Sequence, residues 1–193
     1  MDSQAQGAGL VFWGRWLIAT TIGWIVGTIA AIVLSYLVVN LVYPKTTNLI
    51  VGLCMGAAIG VSQKMAVRRW IKLAGGWVWG AMVGLGIPFV VTVLVDERWA
   101  RAEFLPENWV VGQLLIAVVG GFLAGLLQFR YLRPYTSRAS WWILVSVVSC
   151  GLAWLSTSLS GPGGLVVGGV VLGAVSGGLL ILLLREPTAN EAV

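Results

Sequence analysis

Between Trp16 and Val39 the chain carries 24 consecutive residues without a single charge, and comparable apolar runs recur at about 49–67, 77–95, 110–129, 141–158 and 165–184. About 20 such residues span a hydrocarbon core of about 30 Å as a helix, so runs of this length restrict the chain to a membrane. A single small domain in water has no interior large enough to hide six of them. Composition agrees: 59% of the 193 residues are hydrophobic and 10% are charged, against about 25% charged in soluble proteins. The expected fold is therefore an all-α integral membrane protein of one transmembrane domain over residues 1–193, with six transmembrane helices. The first run is too long for the core of a signal peptide and is read as a retained span.

Short connections make consecutive spans antiparallel neighbours. The turn signal Tyr43-Pro44 follows span one, Gly75-Gly76 precedes span three, and Ser160-Gly-Pro-Gly-Gly164 separates spans five and six. Pro88 lies within span three and is expected to kink it, because it lacks an amide proton. The stretch from Asp96 to Trp109, which mixes acids, arginines and aromatics, is expected to lie along the headgroup layer.

The basic residues divide unevenly between the two sides. Arg15, Lys64, Arg68, Arg69, Lys72, Arg130, Arg133, Arg138 and Arg185 fall on the side of the termini, whereas only Lys45, Arg98 and Arg101 fall on the other. This bias predicts cytoplasmic termini. The net charge of +5 therefore points to anionic lipid headgroups as partners and not to nucleic acid.

A second pattern predicts how the helices pack. Gly52, Gly56 and Gly60 share one helical face, and Gln63 and Arg68 follow. Shifting by 65 positions gives Ala117, Gly121, Gly125, Gln128 and Arg133, and a further shift of 52 gives Gly169, Gly173, Gly177, Leu180 and Arg185. Small faces let helix backbones approach closely. Each odd span also opens on tryptophan: Trp13 and Trp16, Trp77 and Trp79, Trp141 and Trp142. The expected unit is a helical hairpin, repeated in parallel at about 13–70, 74–134 and 139–186. The tryptophans are expected to anchor the helix ends at the membrane surface, with Trp24 and Trp154 deep enough to line a cavity.

Gly-x-x-x-Gly-x-x-Gln, a short basic stretch and a tryptophan pair opening the next span resemble a loose group of uncharacterised, tryptophan-rich multi-pass bacterial membrane proteins. That resemblance implies the bacterial cytoplasmic membrane and no particular reaction.

Histidine is absent, which removes the usual neutral-pH base and the commonest metal ligand. Every acid falls in a loop or terminus, so no carboxylate is expected at membrane depth to relay protons. Cys54 and Cys150 lie in apolar runs and read as small hydrophobes. No cofactor, metal or catalytic residue is expected. The polar candidates are Gln63 and Gln128, expected to bond neighbouring helices, with Arg68 and Arg133 as possible donors to a headgroup. A non-catalytic protein that binds lipid, or a partner membrane protein including a second copy of itself, is the leading expectation. The alternative is a small channel or facilitator with a path lined by Ser62, Gln63, Gln128 and Ser176, ahead of an intramembrane enzyme that would use a Cys, a Ser or a lipid-facing arginine, with turnover dependent on Cys54 or Cys150 as its sign.

Overall fold

The computed structural model describes residues 3–39, 46–99 and 109–184. They form six helices: α1 (Ser3–Val39), α2 (Thr46–Val67), α3 (Gly76–Trp99), α4 (Trp109–Leu132), α5 (Trp141–Leu159) and α6 (Gly164–Leu184). A 3₁₀ turn at Gly161–Gly163 joins the last two, where Gly161 adopts a φ of 54°, a conformation that disfavours a side chain. No strand occurs among the described residues.

Among the described residues, five helices, α1, α2, α4, α5 and α6, contain stretches long and apolar enough to cross a membrane, which points to a membrane protein. Their outward faces are apolar: Ile18, Ile22, Val26 and Ile29 form an exposed stripe along α1. Polar side chains face inward instead, with Thr20, Gln63, Gln128, Ser146, Ser149 and Ser176 all buried. Helices apolar all round belong in lipid, where the interior is the natural place for hydrogen-bonding groups.

Each helix packs against its sequence neighbours, and α6 returns to α1, so the six close into a ring. The glycine faces make the α2–α3, α4–α5 and α6–α1 contacts. A Cβ on Gly56 would sit 2.5 Å from the Ala81 carbonyl oxygen of α3, and one on Gly121 would sit 2.6 Å from the Ser146 oxygen of α5. On α6, Gly173 would meet Leu17 Cα of α1 at 2.9 Å. Gly52 and Gly60 are also buried on α2, Gly125 abuts Ile143, and Gly169 and Gly177 abut Trp24 and Trp16. Ala117 is half-buried and borders a cavity.

The structure corrects the register of α6. Gly56 faces Met82, Gly121 faces Val147, and the α6 residue placed in the same way against α1 is Gly169, facing Thr21. Gly169 lies 48 residues after Gly121, one helical turn short of the 52 that the sequence pattern suggested. The small-residue stripe on α6 continues through Gly164, Gly168, Gly169, Gly173, Gly177 and Gly178, so its internal spacing alone does not select a register.

The stretch 96–109 also differs from expectation, because α3 remains helical to Trp99 and α4 begins at Trp109. Residues 100–108, with Arg101, Glu103 and Glu107, lie outside the described residues, as do Lys45, Arg185 and the rest of the chain's last nine residues.

The turns after α2 and α4 lie at the same end of the ring. The Lys72 amide donates to the Tyr135 hydroxyl at 3.1 Å, joining one turn to the other. Thr136 donates to the Leu183 carbonyl of α6 at 2.7 Å and accepts from the Arg138 amide, which shapes the entry into α5. A core of Phe12, Val67, Ile71, Leu132, Leu180 and Leu183 fills this end.

Candidate functional site

At the centre of that core stand three tryptophans, one from each odd helix. Trp16, Trp77 and Trp142 are 0%, 0% and 2% exposed, with ring centroids 6.2, 6.1 and 5.4 Å apart. This corrects the expectation that they anchor the bundle at the membrane surface. In two of the three pairs one partner turns to the axis while the other, Trp79 or Trp141, remains exposed. Trp13 takes a middle course, half-buried and donating to the Ala174 carbonyl at 3.1 Å. At about 100° per residue, Trp141 and Trp142 point about 100° apart and Trp77 and Trp79 about 160° apart, so neither pair can serve one environment, whereas Trp13 and Trp16 lie only about 60° apart.

Each axial indole N–H is bonded to the preceding even helix around the ring. Trp77 Nε1 donates to Gln63 Oε1 at 3.3 Å, Trp142 Nε1 to Gln128 Oε1 at 3.0 Å, and Trp16 Nε1 to Ser176 Oγ at 2.9 Å. The amides continue outward. Gln63 Nε2 donates to Thr20 Oγ1 at 3.4 Å, and Gln128 Nε2 donates to the Trp77 carbonyl at 3.2 Å. Gln63 thus joins α1, α2 and α3, and Gln128 joins α3, α4 and α5. Where the sequence pattern places Leu180 opposite these glutamines, the α6 register instead places Ser176, whose hydroxyl also donates to the Leu172 carbonyl at 2.6 Å.

Ser176→Ala is expected to destabilise the bundle by about 0.5–1.5 kcal/mol, because it removes the acceptor of the buried Trp16 N–H. Leu180→Gln should not rescue it, since Leu180 lies one turn away. Thermal unfolding in detergent with both variants checks the register; full rescue by the glutamine would contradict it.

Immediately inside the tryptophan layer lies an axial pocket of about 50 Å³, lined by Trp24, Ile59, Gln63, Gln128, Ser149 and Cys150 among others. A second pocket of about 40 Å³ adjoins it, sharing Trp24, Leu85 and Cys150 and adding Met55, Ile116, Ala117 and Trp154. Trp24, Leu85 and Cys150 each lie eight residues along the helix from an axial tryptophan, about 12 Å deeper. Trp24 and Trp154 therefore do line a cavity. Cys54 and Cys150 are free thiols on different helices.

The arginines occupy a different place from the glutamines. Arg68 and Arg133 are exposed on the outside of the ring, whereas Gln63 and Gln128 are buried within it, so the four do not form one site. Arg68 instead joins Arg15 and Arg69 at an outward-facing groove of about 380 Å³ between α1 and α2, with Ser62, Ile18, Ile22 and Met65. Ser62 belongs to this groove and not to the axis. The Arg15 guanidinium also lies 5.5 Å from the Trp70 ring centroid, a cation–π contact that holds it at the groove's edge. Arg15 carries no motif in the sequence; only the packing of α1 on α2 brings it to Arg68.

The axial layer had a readable signal. Gln63 precedes Trp77 by 14 residues and Gln128 precedes Trp142 by 14. A fixed donor–acceptor spacing in two copies is a direct hint of a bonded pair. No protein-family model, curated protein or solved structure matches the chain.

Proposed function

We propose that this is a non-catalytic multi-pass membrane protein that binds anionic lipid headgroups in the Arg15–Arg68–Arg69 groove. In this reading α3 is a sixth crossing, both termini are cytoplasmic, and the membrane is the bacterial cytoplasmic one. The chain is built as three parallel hairpins, with the third set one turn out of sequence register. The even-to-odd glycine contacts and the indole-to-even-helix bonds support the hairpin arrangement. A partner membrane protein or second copy would meet the apolar outer face.

The groove is the observation that carries the proposal. Three guanidinium groups stand at the end of the bundle where the basic turns cluster, above an exposed apolar track of Ile18, Ile22 and Met65. That is the chemistry of a phospholipid: a phosphate at the boundary and acyl chains below it. Each basic residue near a membrane surface contributes about 1 kcal/mol toward anionic lipid, so three together give roughly a 100-fold preference.

In nanodiscs, native mass spectrometry should find phosphatidylglycerol retained over phosphatidylcholine. Arg15→Gln/Arg68→Gln/Arg69→Gln should remove most of that preference, while Arg133→Gln leaves it intact. Equal retention of both lipids, or an unchanged triple variant, would reject the site.

The facilitator alternative draws on the axial cavity, toward which Gln63, Gln128 and Ser176 face. The tryptophan layer crosses that path, so conduction requires Trp16, Trp77 and Trp142 to part. Liposome flux that depends on Gln63 and Gln128 would favour this reading over the lipid-binding one.

A further inference from the structure

The axial cavity is walled mainly by apolar groups, and its few unpartnered polar atoms offer a guest hydrogen-bond donors. Trp24 is 7% exposed, and its Nε1 hydrogen has no acceptor; the Trp154 Nε1 is buried and equally unpartnered. Ser149 is 0% exposed and its hydroxyl also has no partner. All three residues line the adjoining pockets. An indole nitrogen can only donate, so the group that satisfies it must be an acceptor. The glutamines and Ser176 already bond the tryptophan layer, while Met55, Leu85, Ile116 and Ala117 supply apolar wall.

We propose that the axial cavity binds a short, slender alkyl molecule carrying one hydrogen-bond-accepting oxygen. The alkyl part lies against Leu85, Met55 and Ile116, and the oxygen accepts from Trp24 or Trp154, with Ser149 within the same cavity. Size limits the guest. The pockets, about 40 and 50 Å³, together fall short of an engineered cavity of roughly 150 Å³ that takes benzene, which leaves room for about three to four non-hydrogen atoms. Depth excludes a phospholipid tail, whose oxygens lie at the headgroup boundary while Trp24 lies about 12 Å inward from Trp16. Water alone is the poorer occupant beside Trp24 and Trp154, because a buried water needs two to four polar partners and the surrounding wall is apolar. The site is independent of the arginine groove.

Crystals of the full chain soaked with 2-bromoethanol test this, with bromoethane as the probe that lacks oxygen. The alcohol should give a bromine anomalous peak among Trp24, Leu85 and Cys150, with its oxygen within hydrogen-bonding distance of an indole N–H, and should raise the unfolding temperature in detergent. Occupancy by bromoethane should be at least about fivefold lower, the equivalent of one hydrogen bond. Ala117→Leu and Cys150→Leu, which narrow the cavity from the neighbouring helices α4 and α5, should each abolish the peak and the thermal shift in protein that still elutes as a folded species. Equal occupancy by the two probes, bromine found only on the lipid-facing surface, ordered water alone in the cavity, or a thermal shift that survives both narrowing variants would overturn the proposal.

Discussion

Gly56→Leu is expected to prevent assembly of the bundle, leaving protein that aggregates on extraction and shows no cooperative unfolding. Even a single carbon at this position would lie 2.5 Å from the Ala81 oxygen and 2.6 Å from Met82 Cα, both backbone atoms that no rotamer change can move. Overpacking typically costs about 1–3 kcal/mol when side chains can yield. Here α2 and α3 must separate along their whole contact, and every dispersion interaction in the seam weakens at once. Gly56→Ala should already cost more than about 2 kcal/mol. Gly14→Ala provides the control: it has nothing within 4 Å and should be neutral or stabilising by up to about 1 kcal/mol through helix propensity. Size-exclusion profiles and thermal melts of the three variants check the ordering, and equal behaviour of Gly56→Ala and Gly14→Ala would contradict the tight seam.

Trp77→Ala should produce the second-largest loss, about 3–5 kcal/mol, the usual range for truncating a large buried aromatic side chain. Trp77 is fully buried, contacts both other axial rings, and its indole satisfies Gln63. Packing dominates this loss, since interhelical hydrogen bonds within membranes average only about 0.6 kcal/mol. Trp77→Phe should therefore recover most of the stability while leaving Gln63 Oε1 without its donor. Gln128→Leu, which keeps volume and removes two bonds, should cost about 1–3 kcal/mol. Chemical denaturation of the three variants in matched detergent separates the terms; a larger loss for Gln128→Leu than for Trp77→Ala would show that bonding and not packing governs the layer. Exposed Trp79→Ala should change stability by no more than about 0.5 kcal/mol.

The amino-acid sequence by itself determined the environment, the helices and the faces by which they pack. Long uncharged runs have one stable conformation in lipid, and glycine at every fourth position marks a seam whatever lies opposite it. It also repeated a spacing of 14 residues between Gln63 and Trp77 and between Gln128 and Trp142, two pairs that the fold bonds across α2–α3 and α4–α5. Three matters were decided by tertiary structure. Whether a terminal tryptophan faces lipid or the axis depends on the rotation of its helix, which packing sets, and so Trp16 and Trp142 went inside while Trp141 stayed out. The register of α6 depended on its fit to Leu17 and Thr21 of α1, because a stripe so rich in glycine allows one-turn slips that its own residues do not penalise. Arg15 and Arg68, 53 residues apart, met at one groove only when α1 packed on α2, since proximity across a helix pair is a property of the assembled backbone and leaves no local trace in either helix.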